Sequence, residues 1–482
     1  MRHIGCVFVR ALILLLVLAS CRDILSLDDV PPPMPGSEVT GRYRLRALAN
    51  SADYKPIVTD YPVQAFEANA TLEDGSVVPI ALAPDGTFAF NTIATDDGYR
   101  LRFVTTRGTF EFQHSARHLE LVQPGWPLDS QTVDDNTTIT YALNDPPPSG
   151  AAVPLLRSTG SWTQAQGTQV TPSSYSFDWP RGFPRLREEN FDRLFFTFDD
   201  NVTSGTTTYR AIVRYRFDDV TLLNGQVNAV SSDLQRVGLM SLQRTRCIRV
   251  RADAATMLAR LSGVYEGITS QTAAWYVADV ADPSLGFFAT QALAYATITD
   301  NFEGDIDYGD PFPGVNAYLV QTVLTRPLRL GAASLTAYFG TRAYDMPANG
   351  GCGTPAPTPP TIALPRSVRI AQTELQNEPT VTIDRSGPIR LDWTIGSQGA
   401  VDLWRIALIE VSASLEFGKQ INFVSVEPSL LLDPRDLVAG KSYVVQVTAV
   451  IGFSGASDGE LATRTYPTMS SDMFSSPFTI AN

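Results

Sequence analysis

The segment Asp300-Asn301-Phe302-Glu303-Gly304-Asp305-Ile306-Asp307-Tyr308-Gly309-Asp310 sets six oxygen-bearing side chains within eleven residues. With two glycines for tight turns, Asp300, Glu303, Asp305, Asp307 and Asp310 could ligate a hard cation such as Ca²⁺. The spacing is not that of an EF-hand loop, which needs its glycine at position six and a glutamate at position twelve. The competing reading is an acidic, solvated loop. His114 and His118 stand four residues apart, and on a helix that spacing would offer two imidazoles to one metal. Their neighbours Phe110-Glu111-Phe112 and Leu119-Glu120-Leu121 alternate as strands instead, where such positions lie roughly 13 Å apart. They read as surface or loop histidines. No Gly-x-Ser-x-Gly elbow, His-Glu-x-x-His pair, phosphate-cradling glycine loop ahead of a lysine, or Cys–His pairing occurs. A glycosidase needs only two carboxylates, and Trp162, Trp179 and Trp275 could stack on sugar rings. Tryptophans at such positions usually fill a core. A secreted glycan or peptide hydrolase with its site in the central region is therefore the alternative to a non-catalytic protein.

Elements that must place these residues begin with the N-terminus. Arg2, His3 and Arg10 give a basic start, followed by an apolar core from Ala11 to Ala19. As a helix that core spans about 14 Å, short of a ~30 Å hydrocarbon layer, so residues 1–20 read as an export signal. Leu18-Ala19-Ser20-Cys21 resembles the lipobox of bacterial lipoproteins. The resemblance implies cleavage after Ser20, a diacylglycerol thioether on Cys21 and anchoring in a membrane. Each buried CH₂ is worth ~0.8 kcal/mol, so two or three acyl chains hold what one would not. Residues 21–36, with Pro31-Pro32-Pro33, form an extended tether. Arg22 stands where enteric lipoproteins retained at the inner membrane carry Asp, a resemblance that favours the outer membrane or cell surface. Cys6 leaves with the signal, so Cys247 and Cys352 remain in an oxidising compartment. A disulfide between them and two separate thiols are both open; two cysteines alone are too few ligands for a metal site.

The chain carries 50 acidic against 37 basic side chains. Loss of residues 1–20 removes Arg2 and Arg10 and no acid, which makes the mature chain still more acidic. Such a balance excludes a nucleic-acid role, which needs a basic footprint. No later apolar run has the length of a membrane helix.

Proline-rich runs divide the rest. Residues 37–143 alternate with period two, as in Arg42-Tyr43-Arg44-Leu45-Arg46-Ala47-Leu48 and Tyr99-Arg100-Leu101-Arg102-Phe103, with apolar residues on one face and arginines on the other. Glu73-Asp74-Gly75, Pro84-Asp85-Gly86 and Asp96-Asp97-Gly98 supply turns. Val39-Thr40-Gly41-Arg42, then Asp85-Gly86-Thr87-Phe88-Ala89-Phe90, then Tyr99-Arg100-Leu101 resembles the carboxypeptidase regulatory-like, transthyretin-type sandwich. That family implies a spacer or binding module. Residues 144–350 match nothing recognisable; strand-like runs and one short helix at Asp253–Leu261, capped by Asp253, suggest a large sandwich or barrel. Residues 351–364 are a second proline-rich linker. In residues 365–482, Leu437-Val438-Ala439-Gly440-Lys441-Ser442-Tyr443-Val444-Val445-Gln446-Val447 is similar to the E–F corner and F strand of fibronectin type III domains, with Ile389-Arg390-Leu391-Asp392-Trp393 as strand B and Leu403–Val411 as strand C. The resemblance implies a tyrosine corner and Leu437, Tyr443, Val445 and Val447 facing inward.

The expected fold is all-β, with several β-sandwich, immunoglobulin-like domains in series and a larger central sandwich or barrel. The expected function is that of a membrane-anchored, non-catalytic envelope lipoprotein presenting β-domains to a protein or glycan partner. No cofactor is called for beyond the calcium candidate.

Overall fold

The protein is described here by a computed structural model. It describes residues 38–481, apart from 51–55, 93–97, 107, 126–132, 134, 147–152, 159–163, 182–185, 187–192, 262–267, 281–289, 299, 312–314, 331–332, 346–351, 353–361, 376–380, 385–388, 397–400, 415 and 466. Cys21, the tether, Trp162 and the Asp96-Asp97 turn residues lie outside the described residues.

The alternating N-terminal sequence forms eight strands: β1 (Glu38–Asn50), β2 (Pro56–Pro62), β3 (Ala65–Leu72), β4 (Val77–Pro79), β5 (Thr87–Asn91), β6 (Tyr99–Thr105), β7 (Gly108–His114) and β8 (His118–Gly125). β1 is the hub of one sheet. Its first half pairs antiparallel with β5 and its second half with β2, while β8 runs parallel along its other edge. The facing sheet is β4–β3–β6–β7. Tyr43, Leu45, Leu101, Phe103 and Leu119 are buried between them. Gly75 and Gly86 take positive φ at the turns expected there, a conformation only glycine adopts without a steric penalty.

Fourteen strands and one helix follow: β9 (Thr137–Ala142), β10 (Val153–Ser158), β11 (Gln164–Thr171), β12 (Ser174–Trp179), β13 (Leu194–Ser204), β14 (Thr207–Asp218), β15 (Val227–Ala229), β16 (Met240–Ser241), β17 (Arg246–Ala252), α1 (Ala254–Leu261), β18 (Ser270–Val280), β19 (Thr290–Ile298), β20 (Phe302–Tyr308), β21 (Val315–Leu330) and β22 (Ala333–Asp345). Among the described residues the sheets stay open and no barrel closes. One core gathers Tyr141, Phe177, Trp179, Phe196 and Phe198; a second gathers Ile248, Val250, Trp275, Leu293 and Ile306. Trp179 and Trp275 are core residues, so neither offers a sugar-stacking face. The Ala255 N–H donates to Asn301 Oδ1 at 3.0 Å, while the Asp253 carboxylate accepts from Arg251. Asn224-Gly225 makes a turn but not a two-strand hairpin: β15 pairs in parallel with β9 instead.

The C-terminal block has β23 (Pro365–Ile370), β24 (Thr373–Glu374), β25 (Val381–Ile383), β26 (Ile389–Ile395), β27 (Leu403–Val411), β28 (Phe417–Ser425), β29 (Ser429–Leu432), β30 (Ser442–Ile451), β31 (Thr468–Phe474) and β32 (Phe478–Ile480), plus 3₁₀ turns at Pro434–Asp436 and Ala456–Asp458. β24–β23–β26–β29 packs on a sheet in which β27 lies between β28 and β30, and β30 pairs with β31 and β32. Trp393, Trp404, Leu437, Tyr443, Val445 and Val447 are buried between them. The Val438 N–H donates to the Tyr443 hydroxyl at 2.9 Å.

The order of the blocks in space differs from their order in the chain. β28 runs parallel to β7, pairing Ile421 with Thr109 through Ser425 with Gln113. β31 runs antiparallel to β22, pairing Gly340 with Asp472 through Tyr344 with Thr468. The third block therefore sits between the first and the central one, and one hydrogen-bonded sheet of 22 strands passes through all three.

Candidate functional site

Among the residues singled out by sequence, the acidic segment changes character most. Residues 302–308 form a strand, β20, not a loop, and it pairs antiparallel with β17. Ile306 and Tyr308 point into the core, which turns Glu303, Asp305 and Asp307 outward at every second position. Positions two apart on a strand lie about 6.6 Å apart, and arginines stand opposite. Arg249 contacts Glu303 at 2.9 Å and Asp305 at 3.5 Å, and Arg246 contacts Asp310 at 3.2 Å. The Asp307 carboxylate accepts from Ser204 Oγ at 2.8 Å, and Asp300 lies in the bend before the strand. The five carboxylates do not converge on one point, so the calcium arrangement is not formed. Asp307 is instead the cross-strand partner of Cys247. Cys247 and Cys352 are joined in a disulfide with Cα atoms 5.2 Å apart, closing a sequence separation of 105 residues.

The histidines also differ from expectation. His114 is buried at the end of β7. Its Nδ1 accepts the N–H groups of Ser115 and Ala116, and its Nε2 donates to the Ala456 carbonyl at 2.6 Å. Burial pushes its pKa below the usual histidine value, although the Ala456 carbonyl and Asp458 act in the other direction. His118 begins β8 and lies 3.4 Å from Glu120.

Alternation assigns the arginines of β1 and β6 to solvent; the structure buries Arg44, Arg46 and Arg102 and half-buries Arg42 and Arg100. Arg46 is 0% exposed, held by Asp60 at 2.8 and 2.9 Å and by the Ala462 carbonyl of the third block at 3.4 Å. Arg44 bridges Asp60 and Glu120. On β6, Arg102 Nη1 bonds to Glu111 Oε1 and, at 2.7 Å, to Asp436 Oδ1. Arg100 reaches Glu111 at 3.2 Å and Asp433 at 3.4 Å, and Asp433 is also held by Arg435 at 2.7 Å. Three guanidinium groups thus meet three carboxylates where the first and third blocks join. Glu111 is pushed up to about 7, first by burial and then by the charge of Asp436, against the opposing pull of Arg100 and Arg102. The third block also completes the first block's core, supplying Leu403 from β27, Val450 from β30, and Phe453, Ala456 and Leu461 from the segment after β30.

At the other junction the Gly340 N–H donates to Asp472 Oδ1 at 3.1 Å, and Gln446 donates to Oδ2 at 3.0 Å. A second buried pair, Arg157 and Asp199, lies in the central block; burial pushes Asp199 up to about 6 against the pull of Arg157 and Arg210.

An open groove lies beside the first junction, on the β23–β26–β29 face. Its volume is about 760 Å³, and it is lined by Gln372, Arg390, Asp392, Glu427 and Ser429 around the edge of Trp393. Ala371 and Gln372 form its rim as the two-residue connection from β23 to β24, with φ of 49° and 69°. Positive φ at both positions is the geometry of a type I′ turn, which normally selects Asn-Gly. Alanine and glutamine there carry strain, and strain of this kind collects at functional sites. The Ser429 side of the groove is tied to the neighbouring block, since Gln113 donates to the Ser429 carbonyl at 3.3 Å. No sequence signal marked this groove, because its walls come from strands that alternation reads only as core and face.

No family model matches the chain. No curated relative matches it either. Among solved structures, it is similar to one described as a tetra-tandem repeat in the extending region of a large adhesion protein, at 10% identity and a TM-score of 0.12, covering 91% of this chain and 99% of that one. A likeness that weak carries no argument about function.

Proposed function

We propose that this is a membrane-anchored, non-catalytic envelope lipoprotein, held by lipid on Cys21, that presents a rigid assembly of β-sandwiches to a protein or glycan partner. The groove bounded by Gln372, Arg390, Asp392 and Glu427 is the observation that carries the binding role. It offers cationic, anionic and amide groups at one open surface, which suits a polar, extended ligand. Its Ser429 side is held by Gln113 of the first block, which limits the entropy lost on binding. An outer-membrane or surface location rests on the lipobox and on Arg22.

Two measurements test the reading. In a bacterial host, the full chain should partition with detergent and carry a diacylglycerol mass on Cys21, whereas Cys21→Ser should remain uncleaved. A soluble, unlipidated wild-type product would sink the anchor. For binding, envelope extracts and a glycan array should give a retained partner that Arg390→Ala/Asp392→Ala/Glu427→Ala loses by about tenfold or more. Turnover of labelled glycan or casein by the full chain would favour the hydrolase instead.

A further inference from the structure

The disulfide sits beside the carboxylate of Asp307. Cys247 Sγ, Cys352 Sγ and a carboxylate oxygen of Asp307 all lie within 4.8 Å of one another. Two of these come from adjacent strands in fixed register, since Cys247 and Asp307 are directly opposed on β17 and β20. The ladder is anchored below by Ile248, Val250, Ile306 and Tyr308 in the core. Asp307 is held on both of its polar parts: Ser204 Oγ donates to its carboxylate at 2.8 Å, and the Tyr209 hydroxyl donates to its backbone carbonyl. Outer partners of this kind orient a ligating group before the metal arrives. All three side chains are at least partly open to solvent.

We infer that Cys247, Cys352 and Asp307 form a redox-gated site for a thiophilic divalent cation such as Zn²⁺, available when the disulfide is reduced. Two thiolates and one carboxylate are a ligand set that Zn²⁺ accepts, with water completing a tetrahedron. At Zn–S distances of about 2.3 Å the sulfurs need to stand only about 3.7 Å apart, a separation that side-chain rotation supplies once the S–S bond opens. Reduction by a tertiary phosphine breaks the S–S bond. The phosphorus takes the oxygen of water and is oxidised, and the two protons of that water end on the sulfurs. Zn²⁺ then displaces both thiol protons to solvent, so affinity rises with pH. Disulfide and metal are mutually exclusive occupants of one place. Either one ties Cys352 to β17, so the tie survives in reducing surroundings wherever the cation is supplied.

The test uses the full chain in detergent, reduced with a tertiary phosphine that is then removed without air, and titrated with Co²⁺. The reduced protein should develop a near-ultraviolet thiolate-to-cobalt band that saturates at equimolar metal and disappears when Zn²⁺ is added. The oxidised protein should show no band. Asp307→Asn should keep the band but bind at least about tenfold more weakly, while its oxidised form melts close to wild type. Absence of the band in the reduced wild type would overturn the inference. So would an Asp307→Asn titration indistinguishable from wild type, including the case in which reduction unfolds β17 and β20 and leaves only free thiols to bind.

Discussion

Arg102 on β6 and Asp436 in the 3₁₀ turn are 334 residues apart in the chain, and they meet through a 2.7 Å bond between Nη1 and Oδ1. Both lie out of solvent, and the same guanidinium nitrogen serves Glu111. Removing one member of a buried ion group strands the others, a cost of about 3–5 kcal/mol. Arg102→Ala should therefore lower unfolding stability by that order. Urea melts followed by intrinsic fluorescence would measure it, and a loss under 1 kcal/mol would mean water already compensates the pair.

Glu111 gives the same junction a pH dependence of defined sign. Its folded pKa, about 7, lies above the 4.5 of an ordinary glutamate, so the folded state holds the proton more tightly. The resulting stabilisation is full below about pH 4.5 and is lost as pH rises toward 7. It is on the order of 3 kcal/mol for a shift of this size. His114 runs the other way: its lowered pKa gives stability above the ordinary histidine value that is lost as pH falls. Glu111→Gln should remove the first component, so between pH 4.5 and 7 its melting temperature should fall less with rising pH than that of wild type. Parallel profiles for the two proteins would reject the assignment.

Tyr443 ties the corner before β30 by accepting the Val438 N–H. Tyr443→Phe preserves the ring, which stacks on Phe478 at 5.9 Å, and deletes the acceptor. A loss of about 1–2 kcal/mol is expected, with no change in secondary structure by circular dichroism.

The strained rim of the groove predicts a gain. Replacing Ala371 and Gln372 by Asn and Gly fits the type I′ geometry and should raise stability by about 1 kcal/mol. If the strain serves binding, partner affinity should fall in the same variant, and the two readouts separate fold from function.

Much of the strand pattern was legible, because the core-facing members of Tyr43-x-Leu45-x-Ala47 and Leu101-x-Phe103 announce themselves by period. What covers the opposite face was not. An arginine stripe reads as solvent-facing unless the reader knows that a distant segment brings carboxylates to meet it, and the pairing of β7 with β28 leaves no local trace. The acidic segment was misread for a related reason. Its glycines and carboxylates suggested a loop, yet Ile306 and Tyr308 already alternated with Asp305 and Asp307, and the matching Cys247-Ile248-Arg249-Val250-Arg251 lay about fifty residues upstream. The groove was invisible because three separate strands build it.

Interposing the third block between the other two also sets a timetable for synthesis. Leu403, Phe453 and Leu461 complete the core of residues 38–125, yet the ribosome makes them last. At about 5–20 residues per second, the first block waits tens of seconds with its arginine stripe uncovered and its core short of side chains. A nascent chain in that condition exposes apolar surface and unpaired charge until the third block is made.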